Sequence, residues 1–131
     1  PELYVADRTN HRIQVYDMEG RWKRAFGTDL LVSPSGFARQ GDLLVVGELH
    51  ARLAVLDAAD RLVCYLGRND AVSGLDGWPN MLDAQGVPVR TDRLQPGKFN
   101  SPHGIGVDSQ GSIYVAEWLI GGRYTKLAKV R

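Results

Sequence analysis

Three stretches of the chain repeat one pattern of hydrophobic and polar positions. In each stretch an apolar run ends in a carboxylate, a short polar or glycine-containing turn follows, and an arginine opens the next run. The runs alternate in polarity or stay apolar for only a few residues, which is typical of β-strands packed on both faces. The three copies lie at 3–7 with 12–17, at 44–48 with 52–57, and at 113–117 with 123–127.

Further short segments of the same kind flank these pairs. Four short antiparallel strands within about 40 residues are typical of one β-propeller blade, whose strands are labelled a to d from the centre outward. The sequence therefore predicts an all-β partial propeller of about three four-stranded antiparallel blades. Its parts are an incomplete blade with strands b–d at 1–27, a complete blade at 28–67, an inserted loop at 68–98, and an incomplete blade with strands a–c at 99–131.

Turn chemistry agrees with a fold of many short strands. Glycine contributes 15 of the 131 residues, which exceeds its usual share of about 7%. Segments 17–20 and 108–111 begin with Asp and end with Gly, as type I turns prefer. No segment keeps a 3.6-residue period, so we expect little helix. The one cysteine, Cys64, lies in the apolar run 62–66, which predicts a small buried side chain in a strand.

Charge and motif content argue against several function classes. Sixteen basic and 15 acidic residues leave a formal net charge of +1. Domains that hold nucleic acid are usually far more basic, so we interpret the basic run 123–131 as a solvated strand and not as an RNA-binding surface. No apolar run approaches the ~18–20 residues of a membrane-spanning helix. Phosphate-binding glycine loops, zinc-protease motifs and nucleophile elbows are not found in the sequence.

The most regular polar feature is an acidic residue followed by an arginine across each turn between strands b and c. The two side chains of a pair then face each other across one hairpin, and an arginine fork matches a carboxylate. Because the device recurs in every copy, we interpret it as architecture and not as chemistry. The predicted ion pairs are Asp7 with Arg12, Glu48 with Arg52, and Glu117 with Arg123.

The 68–98 segment interrupts the repeat, since nothing of its length lies between the first two copies. It joins strand d of one blade to strand a of the next. Connections this long inside a compact domain are usually binding loops, lids or disordered. Two interpretations remain open: a surface that faces a ligand or partner, or a cap that packs over its own blade. The first interpretation makes Trp78, Arg90 and Arg93 binding residues.

The three histidines follow the same topology. The b–c turns and the d–a connections of a propeller emerge on one side, here called the top face. His11 and His50 lie in b–c turns, and His103 lies at the start of a strand a that lines the channel. All three are expected on the top face beside the 68–98 segment. Neutral imidazoles bind zinc, but strands spaced ~4.8 Å apart separate the b–c turns from the channel, so one ion shared by all three is not expected.

A family resemblance enters at the first copy. The run Tyr-Val-Ala-Asp at 4–7, followed by Asn-His-Arg-Ile-Gln-Val at 10–15, resembles the NHL repeat. The resemblance implies a six-bladed ring, of which this chain would supply about half. Either the remaining blades or a second copy of the chain would then close the ring. The terminal blades lack strands as a cut ring would, and the chain opens at Pro1, so we expect a fragment with blades missing.

The third copy carries a narrower resemblance. The run Pro-His-Gly-Ile at 102–105, with Asp108 and the run 111–117, is similar to the blade start of bacterial NHL proteins related to peptidyl-α-hydroxyglycine α-amidating lyase. Histidines at this position hold the catalytic zinc in that family, so the resemblance implies that His103 is a zinc ligand. The second copy has Ser35 at the corresponding position. The other zinc ligands would therefore come from blades outside this chain.

Two function hypotheses result. The first is a non-catalytic propeller module that binds a small ligand, a peptide or a protein partner on its top face. The alternative is part of an amidating-lyase-like zinc metalloenzyme in which His103 is one metal ligand. The sequence favours the first, because function depends on a complete site and not on a fold. The cellular compartment stays open.

Overall fold

The structure is a computed structural model that describes residues 1–130. Short strands form nearly all of its regular secondary structure. The strands are β1 (Leu3–Asp7), β2 (Arg12–Tyr16), β3 (Trp22–Phe26), β4 (Pro34–Gln40), β5 (Leu43–Glu48), β6 (Arg52–Leu56), β7 (Leu62–Leu66), β8 (Met81–Leu82), β9 (Pro88–Val89), β10 (Pro102–Val107), β11 (Ile113–Glu117) and β12 (Arg123–Leu127). Two 3-10 turns, Arg8–Asn10 and Asp70–Gly74, are the only helical segments within this range, and neither could cross a membrane. The predicted all-β fold is confirmed.

The strands form three antiparallel sheets in chain order. Their strand orders are β1-β2-β3, β4-β5-β6-β7 and β10-β11-β12, while β8 and β9 form a separate hairpin. Strands β4 and β10 lie side by side at the inner ends of the second and third sheets, at position a. Within residues 1–130 the first sheet has no strand at position a and the third has none at position d. The arrangement is that of a partial propeller.

The hydrophobic core lies between the sheets. Successive side chains of a strand point to opposite faces, and the central strand β5 therefore serves two core clusters. Leu44 and Val46 pack with Ile13 of the first sheet, whereas Val45 packs with Val115 of the third sheet. Each sheet thus meets the next face to face, and the second sheet is covered on both sides.

The inner strands of the second and third sheets approach each other closely. A β-carbon placed on Gly36 would lie 2.6 Å from the carbonyl oxygen of His103, so no side chain fits there. The Ser35 hydroxyl lies 2.9 Å from the carbonyl oxygen of Gly47 and 3.1 Å from that of Pro102. The run Pro-Ser-Gly at 34–36 is therefore shaped by the neighbouring inner strand.

Aspartate turns close several hairpins by local contacts alone. Asp17 Oδ1 accepts hydrogen bonds from the backbone N–H of Glu19 (3.0 Å) and of Arg21 (2.8 Å), and Gly20 N–H donates to the Asp17 carbonyl (3.1 Å). The same contacts recur at Asp57, Asp83 and Asp108. The turns predicted at 17–20 and 108–111 are thus formed, and a fourth of the kind lies inside the 68–98 segment.

Charged side chains join the first two sheets. Glu2 Oε1 lies 2.5 Å from Lys23 Nζ and 3.0 Å from Arg24 Nη1. Arg24 Nε also lies 2.7 Å from Asp60 Oδ2 of the second sheet. The hydrogen bond from Lys23, followed by that from Arg24, lowers the pKa of Glu2 to about 2. Glu2 therefore joins the N-terminal end of the first sheet to β3 through a carboxylate that stays ionised well into acid, and Arg24 extends the link to the second sheet.

The prediction for Cys64 is wrong, because this side chain is exposed. Its strand, β7, is the outermost of the second sheet and has a neighbouring strand on one side only. The first three residues of β7 are all exposed, although the strand is apolar. Position in the sheet, and not the hydrophobicity of the strand, decides burial here.

Candidate functional site

The second sheet contains a fully buried carboxylate that binds both an arginine and the backbone. Glu48 Oε2 lies 2.5 Å from Arg52 Nε, and neither side chain has appreciable contact with solvent. Glu48 Oε1 accepts hydrogen bonds from the backbone N–H groups of Val32 (2.5 Å) and Ser33 (3.1 Å). Arg52 also donates through Nη2 to the carbonyl oxygen of Leu30 (3.1 Å). We call this arrangement the backbone clamp, because it fixes the segment that enters β4.

The third sheet repeats the clamp atom for atom. Glu117 pairs with Arg123 Nε, and its Oε1 accepts from the backbone N–H groups of Asn100 (2.6 Å) and Ser101 (3.0 Å). Arg123 Nη2 donates to the carbonyl oxygen of Lys98 (2.6 Å). In both sheets the clamped segment leads directly into the innermost strand, so these two of the predicted acid–arginine pairs hold strand a in place.

The first sheet has the pair without the backbone contacts. Asp7 Oδ2 lies 2.7 Å from Arg12 Nε and 2.9 Å from Gln14 Nε2, and its Oδ1 accepts from Asn10 Nδ2 (2.7 Å). The hydrogen bond from Arg12, followed by that from Asn10, lowers the pKa of Asp7. Among residues 1–130 no backbone N–H group donates a hydrogen bond to this carboxylate, because that sheet has no strand a.

The 68–98 segment, whose conformation the sequence leaves open, has regular structure of its own. It contains the 3-10 turn Asp70–Gly74 and the β8–β9 hairpin. Asn69 ties its beginning to both neighbouring blades: the backbone N–H donates to the carbonyl of Ala51 (2.9 Å) and Nδ2 donates to that of Phe99 (3.0 Å). The segment thus starts in a fixed position between the second and third sheets.

Two asparagines fix the middle of the segment to the third blade. Asn80 Oδ1 accepts from the backbone N–H of Ile120 (2.7 Å), in the b–c turn. Asn100 Nδ2 donates to the carbonyl of Pro79 (2.7 Å), and the Asn100 carbonyl accepts from Trp78 Nε1 (2.9 Å). These contacts place the segment on the top face, beside the b–c turn of the third blade.

Two of the predicted site residues meet there. The rings of His50 and Trp78 have centroids 5.0 Å apart at an interplanar angle of 35°. Nδ1 of His50 is buried and has no hydrogen-bond partner within residues 1–130. The His50 side chain thus packs the b–c turn of the second blade against the 68–98 segment.

The other predicted residues have separate surroundings. Arg90 lies against the backbone at Gly121, where a β-carbon would sit 3.1 Å from Arg90 Cδ. Arg93 Nη1 donates to the carbonyl of Asp76 (3.2 Å), within the 68–98 segment. His11 Nδ1 lies 2.5 Å from the carbonyl oxygen of Val32, between the first two blades. The structure therefore brings His50 and Trp78 together but not His11 with either.

Sequence reasoning missed several exposed apolar side chains of the 68–98 segment and of the neighbouring b–c turn of the third blade, which together are here called the top patch. Trp118, in the b–c turn of the third blade, is 62% exposed. Such exposure depends on which neighbours the fold supplies, and the only sequence signal was tryptophan in a turn. The top patch consists of Leu75, Leu82, Val87, Trp118 and Ile120.

The residues around His103 do not complete a zinc site. His103 is exposed near the start of β10. Within residues 1–130 there is no group of three His, Cys, Asp or Glu side chains placed to hold a metal ion. Structural and catalytic zinc sites use at least three protein ligands. One candidate donor in this chain does not amount to such a site.

Comparison with known proteins identifies one repeat. Residues 99–118 match the NHL repeat, a stretch that spans the clamped segment, β10, β11 and Glu117. No curated protein matches the chain in a sequence search. The NHL resemblance of the third copy is thereby supported, and the narrower likeness to amidating lyases is not.

Proposed function

We propose that the chain is a non-catalytic binding module that receives a peptide or protein partner on its top face. The observation that carries this proposal is the 68–98 segment, which is firmly anchored on that face while its side chains Leu75, Leu82 and Val87 remain exposed. An NHL repeat agrees with a propeller-type binding module.

The anchors and the outward side chains use different residues. Asn69, Asn80 and Trp78 bind the segment to the blades through hydrogen bonds of 2.7–3.0 Å. Leu82 and Val87, on the hairpin of the same segment, remain exposed. Val72 of the same segment is buried, so the segment both covers its neighbours and presents apolar side chains to solvent. Exposed apolar groups gathered in one region mark interaction surfaces.

The chemistry of the top patch fits a polypeptide partner. The backbone N–H of Ile120 donates a hydrogen bond to Asn80 of the 68–98 segment, so Ile120 and its turn neighbour Trp118 lie beside that segment. Exposed Arg90 borders the same turn at Gly121. Aromatic side chains and arginines are enriched in protein–protein interfaces, where they supply most of the binding free energy.

Selection of peptides against the whole chain tests the proposal. Peptides from a displayed random library should enrich on the native chain and should lose binding to the Trp118→Ala variant. Trp22→Ala is the matched control, since Trp22 is 60% exposed on β3, away from the 68–98 segment. Absence of enrichment, or equal binding losses with both variants, would contradict a binding site on the top face.

The metalloenzyme alternative keeps one observation in its favour, the exposed position of His103 near the start of an inner strand. Metal analysis of the purified chain separates the two functions. The binding-module proposal expects less than stoichiometric zinc. Stoichiometric zinc that is lost on His103→Ala and retained on His11→Ala would instead support the alternative.

A further inference from the structure

The inner edge of β1 is an unfilled strand position. In the second and third sheets the corresponding strands, β5 and β11, pair with β4 and β10 on this side. Strand β1 pairs only with β2 within residues 1–130. The backbone N–H and C=O groups of an unpaired edge can bind a further strand.

A groove of about 530 Å³ runs beside this edge. Tyr4 of β1 lines one side, and Phe37, Ala38 and Leu44 of the second sheet line the other. Phe37 is at the position that Ile105 holds in β10, where the side chain packs toward the preceding blade. The groove therefore presents an apolar wall at the place where an inner strand belongs.

The two inner strands that are present define what would fit. Pro34 lies opposite Glu48 and Gly36 opposite Gly47. In the third sheet a proline and a glycine again lie opposite the clamp glutamate and the residue before it. By the same register, a strand on β1 would place proline opposite Asp7 and glycine opposite Ala6.

Glycine at that place has a steric reason. Gly36 faces the backbone of the next inner strand, and a β-carbon there would lie 2.6 Å from a carbonyl oxygen. A strand added to β1 would meet β4 in the same way. In contrast, Gly104 has no following blade within residues 1–130, and a β-carbon there would meet only Ala116 Cβ, at 3.6 Å.

Asp7 has the acceptor that the entering segment needs. In the second sheet one oxygen of Glu48 accepts two backbone N–H groups that precede the proline. The corresponding oxygen of Asp7 accepts only from Asn10 Nδ2 among residues 1–130. A carboxylate oxygen has lone pairs for more than one donor, so Asp7 has capacity for a further bond.

We propose that this edge binds an extended polypeptide segment with the sequence Pro-x-Gly, supplied from outside residues 1–131. A second folded copy is not the source, because its two segments of this type, 34–36 and 102–104, already lie within its own sheets. The site is separate from the top patch, so it does not depend on the function proposed above.

A labelled synthetic peptide tests the inference. Its sequence copies residues 29–40, which contain one clamped segment and one inner strand. Titrated into the full chain and followed by fluorescence anisotropy, it should bind at one saturable site. A peptide with valine in place of the glycine at position 36 should bind at least tenfold more weakly. Hydrogen exchange should show new protection in β1 and unchanged protection in β4, which separates binding at the edge from displacement of β4.

Matched variants locate the contact. Asp7→Ala should weaken peptide binding, whereas Asp17→Ala, in a turn remote from the edge, and Trp118→Ala, in the top patch, should leave it unchanged. The inference is overturned if no saturation is reached at millimolar peptide, or if the valine peptide binds equally well. Sedimentation that shows a dimer unable to take up peptide would assign the edge to a second copy and would also overturn it.

Discussion

Replacing Glu48 by glutamine should destabilise the fold by about 3 kcal/mol. The carboxylate is completely buried and receives Arg52 on one oxygen and two backbone N–H groups on the other. Removing one partner of a buried ion pair costs about 3–5 kcal/mol. Glutamine keeps a single acceptor oxygen and turns its NH₂ group toward one set of donors. Arg52 retains its bond to Leu30 and its stacking 4.0 Å from the centre of the Tyr65 ring, which favours the lower figure.

Urea unfolding followed by tryptophan fluorescence measures this loss. With a slope of about 1–3 kcal/mol per molar urea for a small domain, the midpoint should fall by about 1–3 M. Glu117→Gln should behave similarly, because its contacts are the same. Asp7→Asn should shift the midpoint far less, since its pair is partly exposed and has no backbone donors in residues 1–130. Equal shifts for Glu48→Gln and Asp7→Asn would refute the argument that burial and backbone contacts set the cost.

Three further outcomes can be checked on the same chain. Gly36→Ala should lower the unfolding midpoint, because its methyl group would overlap a carbonyl oxygen of β10 at 2.6 Å. Gly106→Ala should be tolerated, because a methyl group there meets nothing within 4 Å. An equal effect of the two substitutions would show that the inner strands are not in close contact. Stability should fall as the pH drops from about 4.5 to about 2, because the basic partners of Glu2 hold its pKa at about 2 in the folded state. The stabilisation is fully present above the pKa of the unfolded state and is lost when the folded state is protonated. The loss should be smaller in Glu2→Gln. An unchanged acid profile in Glu2→Gln would remove this carboxylate from the explanation. The Cys64 thiol should react with an aromatic disulfide reagent in the native protein, and protection until unfolding would contradict its exposed position.

The repeat made most of the sheet structure predictable. Apolar runs that end in a carboxylate specify strands and turns by local chemistry, so the b–c hairpins at Asp7, Glu48 and Glu117 follow from their own residues. The partners of Glu48 at Val32 and Ser33 were not predictable in the same way. Backbone N–H groups carry no sequence signal, and only the fold brings them to the carboxylate.

Inside the 68–98 segment a usable signal was present. The run Asp-Ala-Gln-Gly at 83–86 has the aspartate and glycine spacing of the turns at 17–20 and 108–111, and it closes the β8–β9 hairpin. The packing of His50 against Trp78 had no such signal, since it joins residues from two different connections. Burial of Cys64 was predicted wrongly for a related reason: apolar character indicates a strand but not its distance from the centre.

The backbone clamp has a consequence for how the chain tolerates change in length. Glu48 and Glu117 bind amide groups that every residue except proline possesses, and their arginines bind carbonyl oxygens. The clamp itself therefore constrains neither the identity nor the number of the residues upstream, as long as two amides arrive just before the innermost strand. A short connection reaches the first clamp, and one lengthened by the whole 68–98 segment reaches the second. New surface can thus be added to one side of the fold while the sheets keep their register.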